Sequence, residues 1–232
     1  MIKVRTSKQR GYEDRGWLQS YYTFSFDAYY DPDFLNYRAL RVINENTLKG
    51  GKGIGSHSHR DMEILFYVLD GVLEHKDNMG HSSVTRPGEV QRLSAGTGLT
   101  HSECNLSHHI PVRFLEFWIT PEQSSVDPSY SKRLFSDASK WGQWCLIVSK
   151  NGREGSIRIY QDLDVFSTLL DDNDELSFET LVDRYYWIQV ISGRFLIQES
   201  ILEPGDGAAI KDESPIEIRC LHAGELLLFD LA

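Results

Sequence analysis

Apolar residues in this chain come in short runs, interrupted about every 8–12 residues by Gly, Pro, Asp or Asn. The runs are residues 39–43, 63–69, 72–75, 114–119, 145–149, 156–160, 185–191, 194–197, 216–220 and 226–231. They are rich in β-branched and aromatic side chains, which suit a half-buried pleated surface, and too short for stable helices. Each is therefore predicted to be a strand. Asp70-Gly71 and Ser192-Gly193 lie between apolar runs, where a tight hairpin needs a residue at positive φ. Pro87-Gly88 and Pro204-Gly205 mark further turns. Residues 168–181 admit a turn of helix or a strand through Leu176 and Phe178. A sustained 3.6-residue period is rare, so the pattern predicts an all-β barrel or sandwich.

The pattern also repeats. Residues 63–71, an apolar strand ending in Gly71, are answered by residues 185–193, ending in Gly193. A Pro-Gly turn follows in each half, and then a late apolar strand, 115–119 or 226–231. The tract 121–140 between them is richer in Ser, Asp, Pro and Lys. The length of 232 residues, ambiguous between one domain and two, is then best divided into two similar β-barrels of about 110 residues. The expected division is a first barrel at 1–125, a linker at 126–140 and a second barrel at 141–232.

Composition narrows the function class. A hydrophobic fraction of 41% with 12% aromatics excludes global disorder. The 24 Lys and Arg against 34 Asp and Glu leave a net charge of −10, which argues against a nucleic-acid partner. Cys104, Cys145 and Cys220 form no CxxC and cannot all pair, so a disulfide-built module is excluded and a reducing, cytoplasmic setting is expected. Residues 1–8 hold no apolar signal segment, and no stretch approaches 18 uncharged apolar residues, so neither secretion nor a transmembrane helix is expected.

The chemistry lies in the histidines. His57 and His59 stand at i and i+2, and so do His101 and Glu103. On a strand such pairs share a face, with Cα atoms about 6.6 Å apart, close enough for two side chains to lean onto one ion. Glycines precede both pairs, at Gly51, Gly53 and Gly55 and at Gly96 and Gly98. Together they make a set of three histidines and one carboxylate, which suits a first-row divalent metal. On a six-coordinate ion two positions remain for a water, oxygen or a chelating substrate. The same donors accept Fe, Mn, Ni, Co, Cu or Zn.

Other residues read as ordinary. His108 and His109 are adjacent, so they face apart and belong to a solvated turn. His75 and His81 flank a turn around residues 77–80 and are expected to be exposed, with His75 alone able to reach a barrel mouth. Cys104 faces away from His101 and Glu103 by parity. The aromatic run 21–30 is expected to be a covering strand, or else to line a pocket for a flat substrate. The second half carries one histidine, His222, and no paired donors.

Residues 51–71, with Gly51, His57, His59, Glu63 and Gly71, resemble the first cupin motif. Residues 88–105, with Gly98, His101 and Asn105, resemble the second, though Gly96 stands where proline is usual. More specifically the chain resembles the pirin family of bicupins, in its bacterial quercetin-dioxygenase branch. Gly16-Trp17-Leu18, residues 22–32, 40–44, 57–63 and 94–103, and 190–193 carry that resemblance across nearly the whole chain. It implies two tandem jelly-roll-like cupin barrels. It also implies one metal, iron(II) foremost, on His57, His59, His101 and Glu103, and a second barrel without metal. The implied reaction is cleavage of a flavonol such as quercetin by O2, across C2–C3, with release of carbon monoxide. Glu103 is then the base for the flavonol hydroxyl, with Glu63 either a second candidate behind the ion or a core carboxylate. Two other functions stay open: a metal- or redox-dependent regulator that binds a protein partner, and another cupin reaction on a small acid or sugar.

Overall fold

Alternation of apolar and polar residues lets each strand bury one face, and two sheets placed face to face bury both. The computed structural model describes residues 1–232 and shows this arrangement twice, with one short α-helix, Asp137–Lys140. No helix is long and apolar enough to cross a membrane. One unit comprises Gly11–Phe135 and Ile159–Gln161, the other Met1–Arg10, Ser136–Arg158 and Asp162–Ala232.

In the first unit a seven-stranded antiparallel sheet runs in the order Ser129–Leu134, Glu89–Ser94, Glu63–Asp70, Val112–Ile119, Leu40–Leu48, Leu18–Tyr22, Gly11–Asp14. A four-stranded antiparallel sheet runs Gly53–His59, Leu99–Asn105, Leu73–Asp77, Ser82–Thr85. Ile64, Phe66, Leu93 and Phe114 from the larger sheet meet Leu73 and Leu99 from the smaller in one buried core. Each such side chain, withdrawn from water, contributes about 1.5–3 kcal/mol. The turn expected at Asp70-Gly71 is present, with Gly71 at φ +80° and a Cβ there 2.8 Å from the Pro111 carbonyl, but it is not a hairpin: Glu63–Asp70 and Leu73–Asp77 lie in different sheets and do not pair, so the turn carries the chain from one sheet to the other.

The second unit has the same plan. Its larger sheet runs Ile2–Arg5, Gly207–Ile210, Tyr185–Val190, Gly224–Leu231, Leu163–Leu170, Cys145–Ser149, Ile157–Arg158. The smaller runs Glu175–Phe178, Ile216–His222, Arg194–Ile197, Ser200–Leu202. Eight consecutive strands, from Leu40–Leu48 to Val112–Ile119 and from Leu163–Leu170 to Gly224–Leu231, occupy matching places in the two units. The ambiguous tract 168–181 resolves as strand at Glu175–Phe178.

The boundaries differ from those expected. Residues 1–10 belong to the second unit, because Ile2–Arg5 pairs with Gly207–Ile210. The stretch 126–140 is not a linker: Ser129–Leu134 forms the edge of the first unit's larger sheet, and Asp137–Lys140 a helical turn of the second. An edge strand needs backbone partners more than apolar side chains, so its polar composition hid it. Ile159–Gln161 returns to the first unit, where the Glu122 N–H donates to the Tyr160 carbonyl at 2.9 Å.

Candidate metal centre

All the paired donors lie on the smaller sheet of the first unit. Leu99–Asn105 is its second strand and alternates cleanly, burying Leu99, His101, Glu103 and Asn105. Asn105 clamps the end of this strand by donating to the Leu48 and Ile110 carbonyls at 3.0 and 2.9 Å. Beside it runs Gly53–His59, with His57 opposite His101 and Ile54 opposite Glu103. That register shift is a bulge, which re-aims side chains and brings His57 and His59 to the face of His101. Gly53 permits the close approach, since a Cβ there would lie 2.7 Å from the Glu103 carbonyl oxygen. The three imidazoles gather with ring centroids 4.9 Å (57–59), 4.3 Å (57–101) and 5.0 Å (59–101) apart.

Their electrostatics favour a cation. Burial, then the neighbouring histidines, pulls His59 down to about 3, and His101 likewise to about 3. Both are neutral at physiological pH and keep a lone pair to donate. His59 Nε2, both ring nitrogens of His101 and Glu103 Oε1 are buried without a hydrogen-bond partner. His101 Nδ1 and Glu103 Oε1 are 2.5 Å apart without hydrogen-bond alignment. The His57 Nδ1 hydrogen donates to the Gly55 carbonyl at 2.9 Å, leaving Nε2 to face inward. Unsatisfied donors of this kind, in a set of three imidazoles and a carboxylate, fit a divalent metal ion. Within the gathering, His57, His59 and His101 form one close trio and His75, His101 and Glu103 another. Glu103 thus joins through His101, alongside His75, rather than directly with His57 and His59.

Several expected placements change. Of the two expectations for Glu63, the structure has the core carboxylate: it accepts from the Ser94 hydroxyl, and Arg92 and the Tyr160 backbone act on it, but no clustered histidine does. As the first residue of its strand it faces a different set of partners, so it is not placed to serve as base. His75, expected to be exposed, is fully buried, while the His81 side chain remains 41% exposed. Cys104 does lie on the other face, bonded to its own strand's end. The run 21–30 is a strand only to Tyr22 and then turns, with Phe26 bridging Tyr29.

Glu116 escaped the sequence reading. It stands between apolar pairs, Phe114-Leu115 and Phe117-Trp118, and a charge in the middle of such a run was its signal. Burial pushes its carboxyl up to about 7; Trp118 Nε1 donates to Oε1 at 2.6 Å and Asn46 Nδ2 to Oε2 at 3.4 Å. Trp118 in turn meets the His59 ring edge-on at 4.7 Å. Glu116 lines a cavity of about 190 Å³ with His57, Glu103, Asn46, Tyr22 and Phe26. Burial pushes Glu103 up to about 7 as well. The aromatic run therefore contributes rings to a pocket that reaches the donors.

Residues 3–119 match the pirin family model and residues 146–231 that of the quercetinase C-terminal cupin domain. The chain is 42% identical over 231 residues to a quercetin 2,3-dioxygenase of Escherichia coli K12, covering 100% of this chain and 99% of that protein. Its fold matches the crystal structure of YhhW from Escherichia coli with a TM-score of 0.97 at 40% identity, covering 100% and 98% of the two chains. The bacterial pirin YhhW in complex with nickel(II) matches with a TM-score of 0.95, covering 100% and 99%. Two cupin barrels in tandem, the family model on the first and likeness along the full length establish that the chain belongs to the pirin family.

Proposed function

We propose that this protein is a metal-dependent dioxygenase that opens a flavonol such as quercetin with O2 and releases carbon monoxide. The observation that carries the proposal is the cavity itself. It brings aromatic rings, two buried carboxylates and one of the clustered histidines together over a single donor set. The quercetin dioxygenase name of the Escherichia coli relative supports the substrate, and the nickel complex of its fold neighbour supports the metal.

His57, His59 and His101 would hold the ion through imidazole nitrogens and Glu103 through a carboxylate oxygen. A bound divalent ion supplies Lewis acidity, which stabilises the oxyanion left when a substrate hydroxyl loses its proton. Glu103, beside the ion, is the acceptor of that proton. Glu116, raised by burial and fixed by Trp118 and Asn46, faces the substrate with a second acceptor. Tyr22 and Phe26, 5.3 Å apart, give a flat ring an apolar wall and keep water from it.

The test is metal analysis of the purified protein with an oxygen electrode. Loaded in turn with Fe(II), Mn(II), Ni(II) and Co(II), the protein is expected to consume oxygen with quercetin and release carbon monoxide above a metal-free control. No turnover with any of them would remove the flavonol reading and leave the metal centre to another substrate.

A further inference from the structure

The larger sheet of the first unit turns a row of polar side chains toward the cavity. Asn44 and Asn46 stand at i and i+2 on Leu40–Leu48 and so share a face. Tyr22 and Glu116 lie directly across from Asn44 on the neighbouring strands, and Ser20 lies across from Asn46. All of them line the cavity that reaches His57 and Glu103. Most have their polar atoms engaged. The Ser20 hydroxyl donates to Asn46 Oδ1 at 2.7 Å, Asn46 Nδ2 to Glu116 Oε2 at 3.4 Å, and Trp118 Nε1 to Glu116 Oε1 at 2.6 Å. The Tyr22 hydroxyl donates to Glu13 at 2.6 Å.

Asn44 is the exception. It is 2% exposed, and its Oδ1 has no hydrogen-bond partner. A buried amide oxygen in that state weakens the fold, and an apolar side chain of similar shape would cost less. The neighbours do not relieve it: Tyr22 gives its one hydroxyl hydrogen to Glu13, and Asn46 and Trp118 give theirs to Glu116. Such an oxygen suits a hydrogen-bond donor that enters the cavity, and on an aromatic ligand that donor is a hydroxyl. The clustered histidines and Glu103 stand on the smaller sheet, and packed sheets lie about 10 Å apart. A ligand held at both walls therefore carries its hydroxyl on the ring that bears the chelating oxygens or on the ring joined to it.

We propose that Asn44 is a specificity-determining residue of this cavity: its side-chain amide accepts from a ring hydroxyl on the side of the substrate away from the metal, and so selects polyhydroxylated aromatic substrates over those without that group. This rests on the reading of the cavity as a flavonol pocket and names the part of the flavonol that is recognised.

The experiment compares quercetin with 3-hydroxyflavone, which keeps the chelating hydroxyl and carbonyl and lacks the other ring hydroxyls. Binding to the nickel-loaded wild type and Asn44→Ala is followed by fluorescence quenching without oxygen, so that no turnover intervenes. The wild type is expected to prefer quercetin by about 3- to 10-fold, the worth of one neutral hydrogen bond. Asn44→Ala is expected to lose that margin by weakening quercetin alone. Asn44→Leu is expected to melt no lower than the wild type, because it replaces an unpartnered amide; a lower melting temperature marks the amide as structural and overturns the proposal. Equal affinities in the wild type, an unchanged margin in Asn44→Ala, or equal weakening of both flavonols overturns it too. Should Asn44→Ala not fold, the wild-type margin and the same two affinities in Asn44→Leu decide the matter. Oxygen uptake is scored separately. An Asn44-dependent margin without turnover overturns the dioxygenase reading and leaves the subsite; turnover without that margin overturns the subsite alone; no binding of either flavonol overturns both.

Discussion

His101 touches every other member of the donor set: its ring lies beside those of His57 and His59, and its Nδ1 beside the Glu103 carboxylate. Removing it takes a donor from both trios at once. His101→Ala is therefore expected to abolish stoichiometric metal in the purified protein, while thermal melting still shows a folded chain. Metal content equal to the wild type would refute the four-donor assignment. Glu63→Gln tests the opposite claim. Glu63 bonds Ser94 apart from the histidines, so the amide should keep full metal content and cost about 1–3 kcal/mol of stability through the altered bond. Loss of metal would put the carboxylate back in the centre. The clustering of the candidate donors was legible because spacing of two residues on a strand determines a shared face. His75 and Asp77 obey the same spacing and were passed over because a turn follows them at Asn78. Burial decides whether such a histidine faces solvent or a core, and burial is set by the strand opposite, which the local sequence does not carry.

At the level of the element, the donor geometry depends on one irregularity. The bulge between the His101–His57 and Glu103–Ile54 pairs exists because Gly53 lets the Glu103 carbonyl approach. Gly53→Ala places a methyl 2.7 Å from that oxygen, and relief requires the strand to shift. The expected result is a loss of about 1–3 kcal/mol in urea unfolding, together with weaker nickel binding by calorimetry. An unchanged affinity would mean that the bulge does not hold the histidines in place. Apolar strands such as Cys145–Ser149 and Arg194–Ile197 were readable to the residue, because their side chains make the core. The expected strand 39–43 continues to Leu48 because Asn44 and Asn46 are buried too, Asn46 bonding Ser20 and Glu116. Strands that end or begin in polar cavity-lining residues look like loops until their partners are known.

At the level of the whole molecule, one eight-strand plan has been used for two purposes. In the second unit, Phe178, Ile216, Ile218 and Cys220 stand on the strands that match the donor-bearing strands of the first, and they pack into a hydrophobic core. No donor set forms there, and the stability of that unit has to come from apolar burial and a few buried charges. Asp230 is the sharpest case. It is 6% exposed on the central strand Gly224–Leu231, and Arg184 Nε donates to it at 2.6 Å while Arg184 Nη1 reaches Asp162 at 3.0 Å. Burial raises the Asp230 carboxyl above its ordinary value, and Arg184 pulls it back. An acid whose folded value lies above its unfolded one contributes stability below the unfolded value, about 3.9, and loses it as pH rises through the folded value. Arg184→Ala removes the downward pull, so the upward displacement grows and the loss widens with pH. The variant is expected to be less stable than the wild type by about 3–5 kcal/mol at pH 7 and by clearly less at pH 4, measured by urea unfolding at both. Adding Asp230→Asn to Arg184→Ala should flatten that dependence, because the amide has no charge to bury. An equal penalty at pH 4 and pH 7 would show that Arg184 acts by packing its side chain and not by pairing with Asp230.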